Sequence, residues 1–242
     1  MQAIVMAGGK GSRLHPYSAL FPKPLMPLGD KPVLEILLNQ LRAAGVTQVI
    51  LAVNHLRHLL EAFFGDGSRF GLSITYSLED KPLGTAGPLG LVLDRLGEEF
   101  LLTNGDLLTT LDIAVMVADH RARGADATIG TYLRELRSDF GLLEVDDSMR
   151  MTGYREKPTY QHLVSMGIYV LRRDVIRPFL RRGEYLDMPV LMQAMQRAKK
   201  LVLCHRQDCF WMDIGRPEDF AEAQSMIERD PRAFMPAPMP AR

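Results

Sequence analysis

A short apolar run, Ala3-Ile4-Val5, leads straight into Met6-Ala7-Gly8-Gly9-Lys10-Gly11-Ser12-Arg13-Leu14. The run reads as a buried strand, so three glycines and two cations are delivered to a strand's carboxyl end, where open α/β sheets bind ligands. Backbone N–H groups at Ala7, Gly8, Gly9, Gly11 and Ser12 can approach an anion that larger side chains would obstruct. Lys10, Arg13 and Lys23 add charge and forked donors for phosphoryl oxygens. Two familiar phosphate loops are excluded. A Walker A loop needs Ser or Thr after Gly-Lys, and Gly11 follows Lys10; a dinucleotide fingerprint needs a third glycine where Leu14 stands and an immediate helix. Pro16, Pro22, Pro24 and Pro27 prevent that helix.

The rest of the chain suits the α/β plan that such a loop requires. Residues 33–44 carry apolar side chains at helical spacing and stop at Gly45; residues 49–53 and 72–76 read as strands, with a helix over 55–64 between them. Strand-helix-strand repetition at this spacing predicts a three-layer, Rossmann-like fold with a mostly parallel mixed sheet. A loop through Gly84, Thr85 and Gly87 enters a helix ending near Leu96, and Pro88 stands in its first turn. Residues 100–103 form a further strand that ends in Asn104-Gly105-Asp106, so Asp106 is placed as a metal ligand at the crevice, while Asp112 caps a helix over 113–123. Strands then dominate, over 127–132, 141–145, 150–155 and 163–171, with a hairpin turn at Asp146-Asp147-Ser148. Helices over 174–180 and 186–198, a strand over 201–204 and a helix opening at Pro217 complete the chain. One domain over 1–229 is expected, with a nucleotide half to about residue 125 and a smaller acceptor half from about 126; the proline-rich tail from 230 to 242 reads as irregular.

Composition narrows the partners. Lys plus Arg and Asp plus Glu number 29 each, so no bulk charge points to nucleic acid or a membrane surface. Cys204 and Cys209 support neither a disulfide framework nor a zinc site, and His55 and His58 lack a carboxylate at ligand spacing. No basic, then apolar leader and no membrane-length apolar run is present, so a cytoplasmic protein is expected. Exposed apolar helix faces leave a homo-oligomer open.

The whole pattern Gly8-Gly9-Lys10-Gly11-Ser12-Arg13-Leu14-His15-Pro16 with Pro22-Lys23-Pro24 resembles the signature of the sugar-1-phosphate nucleotidyltransferases, with Ser12 where Thr is commoner. Pro82-Leu83-Gly84-Thr85-Ala86-Gly87-Pro88-Leu89 is especially similar to the mannose-1-phosphate guanylyltransferases. The resemblance implies that this segment contacts the nucleotide, with Glu79 where relatives using thymidine or uridine nucleotides carry Gln. A carboxylate offers only acceptors, which suits the N1–H and N2–H donors of guanine. It further implies sugar-phosphate contacts at Gly141, Glu156, Lys157, Ser165 and Gly167. Ser165 departs from a commoner Asn. Finally, Trp211-Met212-Asp213-Ile214-Gly215-Arg216-Pro217-Glu218 resembles the segment holding a second metal carboxylate, Asp213; Trp211 reads as a core or hinge anchor.

The expected reaction is transfer of a nucleoside monophosphate from an NTP, GTP favoured, to a mannose- or heptose-like sugar 1-phosphate, releasing pyrophosphate. The acceptor oxygen is already anionic, so positioning and charge neutralisation by Mg²⁺ on Asp106 and Asp213, with Arg13 and Lys23 as catalytic cations, carry the chemistry. UTP, dTTP or CTP as donor, or a catalytically silent regulatory subunit, remain alternatives. A glycosyltransferase would carry Asp-x-Asp where Asn104-Gly105-Asp106 has one acid. No hexapeptide repeat of a left-handed β-helix occurs, so no appended acyltransferase domain is expected.

Overall fold

The opening apolar run becomes strand β1, Gln2–Met6, in which Ala3 and Val5 face one packed layer and Ile4 the other. A strand buried on both faces must be apolar throughout, which is why the run does not alternate. The computed structural model describes residues 1–9, 21–54, 56–230 and 232–234. In chain order the elements after β1 are β2 (Pro27–Leu28), β3 (Lys31–Pro32), α1 (Val33–Ala43), β4 (Gln48–Val53), α2 (Arg57–Phe64), β5 (Ser73–Leu78) and α3 (Leu89–Val92). Then come β6 (Glu99–Asn104), β7 (Leu107–Thr109), α4 (Ile113–Ala122), β8 (Ala127–Arg137), β9 (Leu142–Val145), β10 (Met151–Arg155) and β11 (Thr159–Arg172). The last are α5 (Arg173–Ile176), α6 (Met188–Arg197), β12 (Val202–Arg206), β13 (Trp211–Asp213) and α7 (Pro217–Arg229).

Seven strands form one sheet in the order β12-β8-β11-β6-β1-β4-β5. β1 pairs in parallel with β4 on one side and β6 on the other, whereas β11 runs antiparallel between β6 and β8. The chain thus reverses its direction of travel across the sheet at β1, and the crevice beyond the ends of β1 and β6 is the switch point where such sheets bind ligands. Helices α1, α2 and α4 cover one face through Leu37, Leu41, Phe64 and Met116. α3 and α6 cover the other through Leu89, Val92, Leu191 and Met195. The result is the three-layer α/β fold with a mostly parallel sheet, and that sheet runs through both halves of the chain.

Several boundaries differ from the sequence reading for physical reasons. The helix expected over 55–64 begins at Arg57, after Leu56 at φ 56°; His55 lies outside the described residues, and His58 is exposed. The helix expected over 174–180 is one turn of α-helix followed by a 3-10 turn, because Pro178 interrupts the α-helical ladder. Strands β8 and β11 are longer than expected, since their outer halves pair with each other while largely exposed, and residues such as Leu136 and Leu163 show no regular buried face there. Asp112 caps α4 as expected, accepting from Val115 N at 3.0 Å. Cys204 and Cys209 are both free. Among the described residues, helices expose Val115 and Val190, but most exposed large apolar side chains, including Phe140, Leu143, Met149 and Met151, lie on the β8-to-β11 arm rather than on helix faces. No helix among the described residues is long and apolar enough to cross a membrane.

A third apolar cluster closes the fold under the crevice. Leu108 on β7, Ile36 on α1, Ile214 after β13 and Ile227 on α7 pack together with Leu28 and Val33. Leu108 is fully buried there, so Leu108→Ala is expected to cost about 2–5 kcal/mol, read as a lower urea midpoint with an unchanged slope. A loss below about 1 kcal/mol would show that this cluster does not hold the ends of the chain together.

Candidate active site

Four loops leave the sheet at one edge, and the ladder itself pins their first residues. Ala7 N donates to Ala52 O at 2.8 Å, Glu79 N to Val53 O at 3.1 Å, and Gly105 N to Met6 O at 2.9 Å. Gly8, Asn54, Glu79 and Asp106 therefore gather around one crevice of about 440 Å³, together with Gly9, Gly84, Thr85 and Asn104. Gly8 is needed for the close approach: a Cβ there would meet Glu79 Oε1 at 3.2 Å and Asn54 Cβ at 3.3 Å. Gly105, which lines neither compartment described here, packs against β1, where a Cβ would meet Met6 O at 3.1 Å.

A second cavity of about 270 Å³ adjoins the first and shares Thr85 and Asn104 with it. Its walls include Ser165, Met166, Gly167 and Tyr169 from β11, Met188 and Pro189 from the start of α6, and Trp211 and Asp213 from β13. Ser165 Oγ and Tyr169 Oη are 2.9 Å apart, which ties the two polar groups of this wall to each other. Trp211 acts as an anchor, with its indole N–H donated to Met166 O at 2.9 Å and its ring 5.7 Å from that of Tyr132.

The two carboxylates meet where the cavities join. Strand β13 pairs antiparallel with β7, setting Asp213 opposite Leu107, and Ile214 N donates to Asp106 O at 3.1 Å. Lys23 arrives from a 3-10 turn, Lys23–Leu25, that the flanking prolines shape. Its ammonium donates to Asp106 Oδ2 and to Asp213 Oδ1, the latter at 3.3 Å. Lys23 is only 9% exposed, and a buried lysine is tolerated because two carboxylates surround it. Burial raises the Asp106 pKa above its ordinary value; the Lys23 ammonium opposes this, and the Asp213 carboxylate adds to it. One cation thus touches both acids, which makes the pair the candidate holders of a shared divalent ion. Two hard oxygen donors fit Mg²⁺, which takes one or two carboxylates and completes its shell with phosphate oxygens and water. Among the described residues no group of three or more His, Cys, Asp or Glu side chains could hold a metal.

Glu79 is buried at 7% exposure, and its Oε2 accepts from Leu83 N at 3.1 Å. Burial pushes its pKa up from 4.5, and the Leu83 N–H partly offsets this.

Gly141, Glu156 and Lys157 are on the β8-to-β11 arm and are not among the residues lining these two cavities. Glu156 there accepts from Tyr154 Oη at 3.1 Å, and Lys157 turns the chain at φ 41°. Gly11, Ser12 and Arg13 lie outside the described residues. Sequence reasoning assigned no role to Asn54, Asn104 or Asp187. The first two end or follow β4 and β6, so the strand-end rule that found Asp106 applies to them equally.

Known proteins resemble this chain along nearly all of its length. A UTP–glucose-1-phosphate uridylyltransferase from Synechocystis is 34% identical, over 92% of this chain and 62% of the relative. A mannose-1-phosphate guanylyltransferase from Mycobacterium tuberculosis is 33% identical, over 95% of this chain and 65% of the relative. The chain thus spans slightly less than two thirds of the length of these relatives. A Bacillus anthracis structure described as a candidate glucose-1-phosphate thymidylyltransferase superposes with a TM-score of 0.77 at 26% identity, over 95% of this chain and 96% of that one. The model of the nucleotidyl transferase family matches residues 2–230, nearly the whole fold built around the crevice, and the chain belongs to that family.

Proposed function

We propose that the protein transfers a nucleoside monophosphate from GTP to a mannose- or heptose-like sugar 1-phosphate, forming a GDP-sugar and pyrophosphate. The single observation that carries this reading is the ammonium of Lys23 on both Asp106 and Asp213, at the junction of two adjoining cavities. Two anionic substrates need a cationic centre between them, and this centre has the donors for one. The larger cavity, walled by Gly8, Gly9, Glu79 and Gly84, suits the nucleotide. The smaller, walled by Ser165, Gly167 and Tyr169, suits the sugar.

In this reading the backbone at Ala7, Gly8 and Gly9 faces the triphosphate, and Lys23 holds the reacting phosphates once the substrates draw its ammonium from the aspartates. Arg13 neutralises charge gathering on pyrophosphate. Lys157, Glu156 and Gly141 take the sugar 1-phosphate from the arm. Asp106 and Asp213 would hold Mg²⁺, which when bound supplies charge neutralisation at the α-phosphate and a template for the acceptor phosphate. No protein base is required, because the attacking oxygen carries its charge beforehand; alignment and electrostatics are the catalytic contribution.

The base preference rests on Glu79. Its acceptor-only carboxylate matches two adjacent guanine donors and mismatches the mixed edge of a pyrimidine. The M. tuberculosis guanylyltransferase supports that choice, while the Synechocystis uridylyltransferase supports UTP as the second reading. Pyrophosphate release assayed over a matrix of NTPs and sugar 1-phosphates is expected to favour GTP at least about tenfold in kcat/KM, and preference for UTP or dTTP would overturn the assignment.

Asp106→Asn is expected to lower kcat at least about 100-fold while the KM for the NTP changes only a few-fold; equal loss in both would remove the metal role. Glu79 also predicts a pH effect. A carboxyl whose folded-state pKa is raised contributes stability below 4.5 that is lost as pH rises through the folded value. The melting temperature of Glu79→Gln, which keeps an acceptor for Leu83 N, should therefore gain on the parent between about pH 4.5 and neutrality. A constant difference across that range would show that Glu79 carries no burial cost.

A further inference from the structure

Asp187 stands at the N-cap of α6, the position where a short carboxylate ordinarily accepts from its own helix, yet its side chain makes no capping bond. It turns instead toward a loop distant in sequence. Asp187 Oδ1 accepts from Thr85 N at 3.1 Å and from Thr85 Oγ1 at 3.3 Å. Its Oδ2 accepts from Tyr185 Oη at 2.7 Å. Thr85 Oγ1 then accepts from Met188 N at 2.8 Å, so the threonine hydroxyl is held from both sides. The backbone closes the same seam: Ala86 N and Gly87 N donate to Leu186 O at 2.8 and 2.9 Å, and Leu186 N donates to Leu83 O at 2.9 Å.

Two facts give this seam a functional meaning. Thr85 lies in the wall of both cavities, and Met188, whose N–H it accepts from, lies in the wall of the smaller one. Gly84, at φ 78°, is pressed so closely onto the segment that a Cβ would lie 2.6 Å from Leu186 O and 2.8 Å from Asp187 Oδ1. The glycine that permits this contact belongs to the nucleotide cavity. Any slack between 83–87 and 185–189 would therefore move walls of both compartments together. The Asp187 carboxyl is held below its ordinary pKa, first by the Tyr185 hydroxyl and then by the Thr85 N–H, so it is charged in its role as acceptor.

We propose that Asp187 is a positioning residue for the transfer reaction, acting through Thr85 to fix the rim that the nucleotide and sugar-phosphate compartments share. The inference rests on the two-substrate reading above and extends it: one carboxylate, touching neither substrate, sets the fit of both. A loop contact that only stabilised the fold would alter melting without a matched change in both Michaelis constants.

The test compares Asp187→Asn, Asp187→Ala and Asp187→Ser with the parent by steady-state kinetics on GTP and mannose 1-phosphate, or on the best pair in the substrate matrix, with melting temperatures alongside. Asn keeps an acceptor for Thr85 and is expected to hold both KM values within about threefold of the parent. Ala loses the acceptor, and Ser, a good N-cap, is too short to reach Thr85; each is expected to raise both KM values about tenfold with kcat changed less than about threefold. Ser preserves the helix start, so it decides the matter if Ala does not fold. Unchanged KM values in Ser, a rise for one substrate alone, or an Asn variant as impaired as Ser would overturn the inference while the reaction itself stands. A parent inactive on every NTP and sugar 1-phosphate pair would overturn the reaction and the inference with it.

Discussion

The site depends on a three-residue pairing. Strand β13 lies against β7, and through that contact a carboxylate near the end of the described chain comes beside one at the end of a central strand. So short a ladder does not stand alone in water. It is held by Trp211 bonded to the β11 backbone, by the buried cluster of Leu108, Ile214 and Ile227, and by Thr109 Oγ1 donating to Phe210 O at 2.7 Å. The charge centre is thus a consequence of apolar packing. Asp106 and Asp213 repel each other, and the fold keeps them together because the hydrophobic contacts beneath them and the ammonium above them outweigh that repulsion.

The parallel ladder around β1 supplies the other half of the arrangement. Strands β1, β4, β5 and β6 all exit on one edge, so whatever follows each of them must converge. Gly8 after β1, Asn54 after β4, Glu79 after β5 and Asp106 after β6 are distant in the chain and adjacent in space for that reason alone. A burial cost accompanies the convergence. The raised pKa values of Glu79 and Asp106 are the signature of carboxylates held where water is scarce, and a site of this kind strengthens every electrostatic contact made with a substrate.

Much of this was legible in the sequence because it follows from local rules. A buried strand followed by glycine, or by a carboxylate, announces a ligand edge, and that rule located Gly8 and Asp106; Glu79 came from the family resemblance, although it too follows a strand of the sheet. Asp213 was singled out by the resemblance of residues 211–218 to a family segment, and it is not spent on the helix that follows, where Asp219 accepts from Arg216 N at 2.8 Å. What escaped depends on contacts that no local pattern records. Asp187 falls inside the helix expected over 186–198, and nothing in its local sequence records that it stands at the N-cap instead and bonds to Thr85. The pairing of β7 with β13 is too short to leave a periodic trace. The outer halves of β8 and β11 are mostly exposed, with only Tyr132, Leu133, Tyr160 and Val164 partly covered, so the alternation that marks a half-buried strand is lost.

In the seven-stranded sheet, β11 opposes both of its neighbours, and this has a consequence for how such a fold diversifies. Because β11 is antiparallel to β6, the chain enters the crevice with Ser165 and Gly167 before it joins the sheet's centre, whereas the loops after β1, β4, β5 and β6 leave the sheet on reaching it. The two sides therefore reach the crevice from opposite directions, Ser165 and Gly167 from within β11 and the loop residues from the ends of β1, β4, β5 and β6. Changes along the incoming arm can reshape the smaller cavity without disturbing the exits of β1, β5 and β6. Two cavities thus coexist on one scaffold with separate mutational routes, and the seam of residues 83–87 with residues 185–189 is one place where a change would reach both.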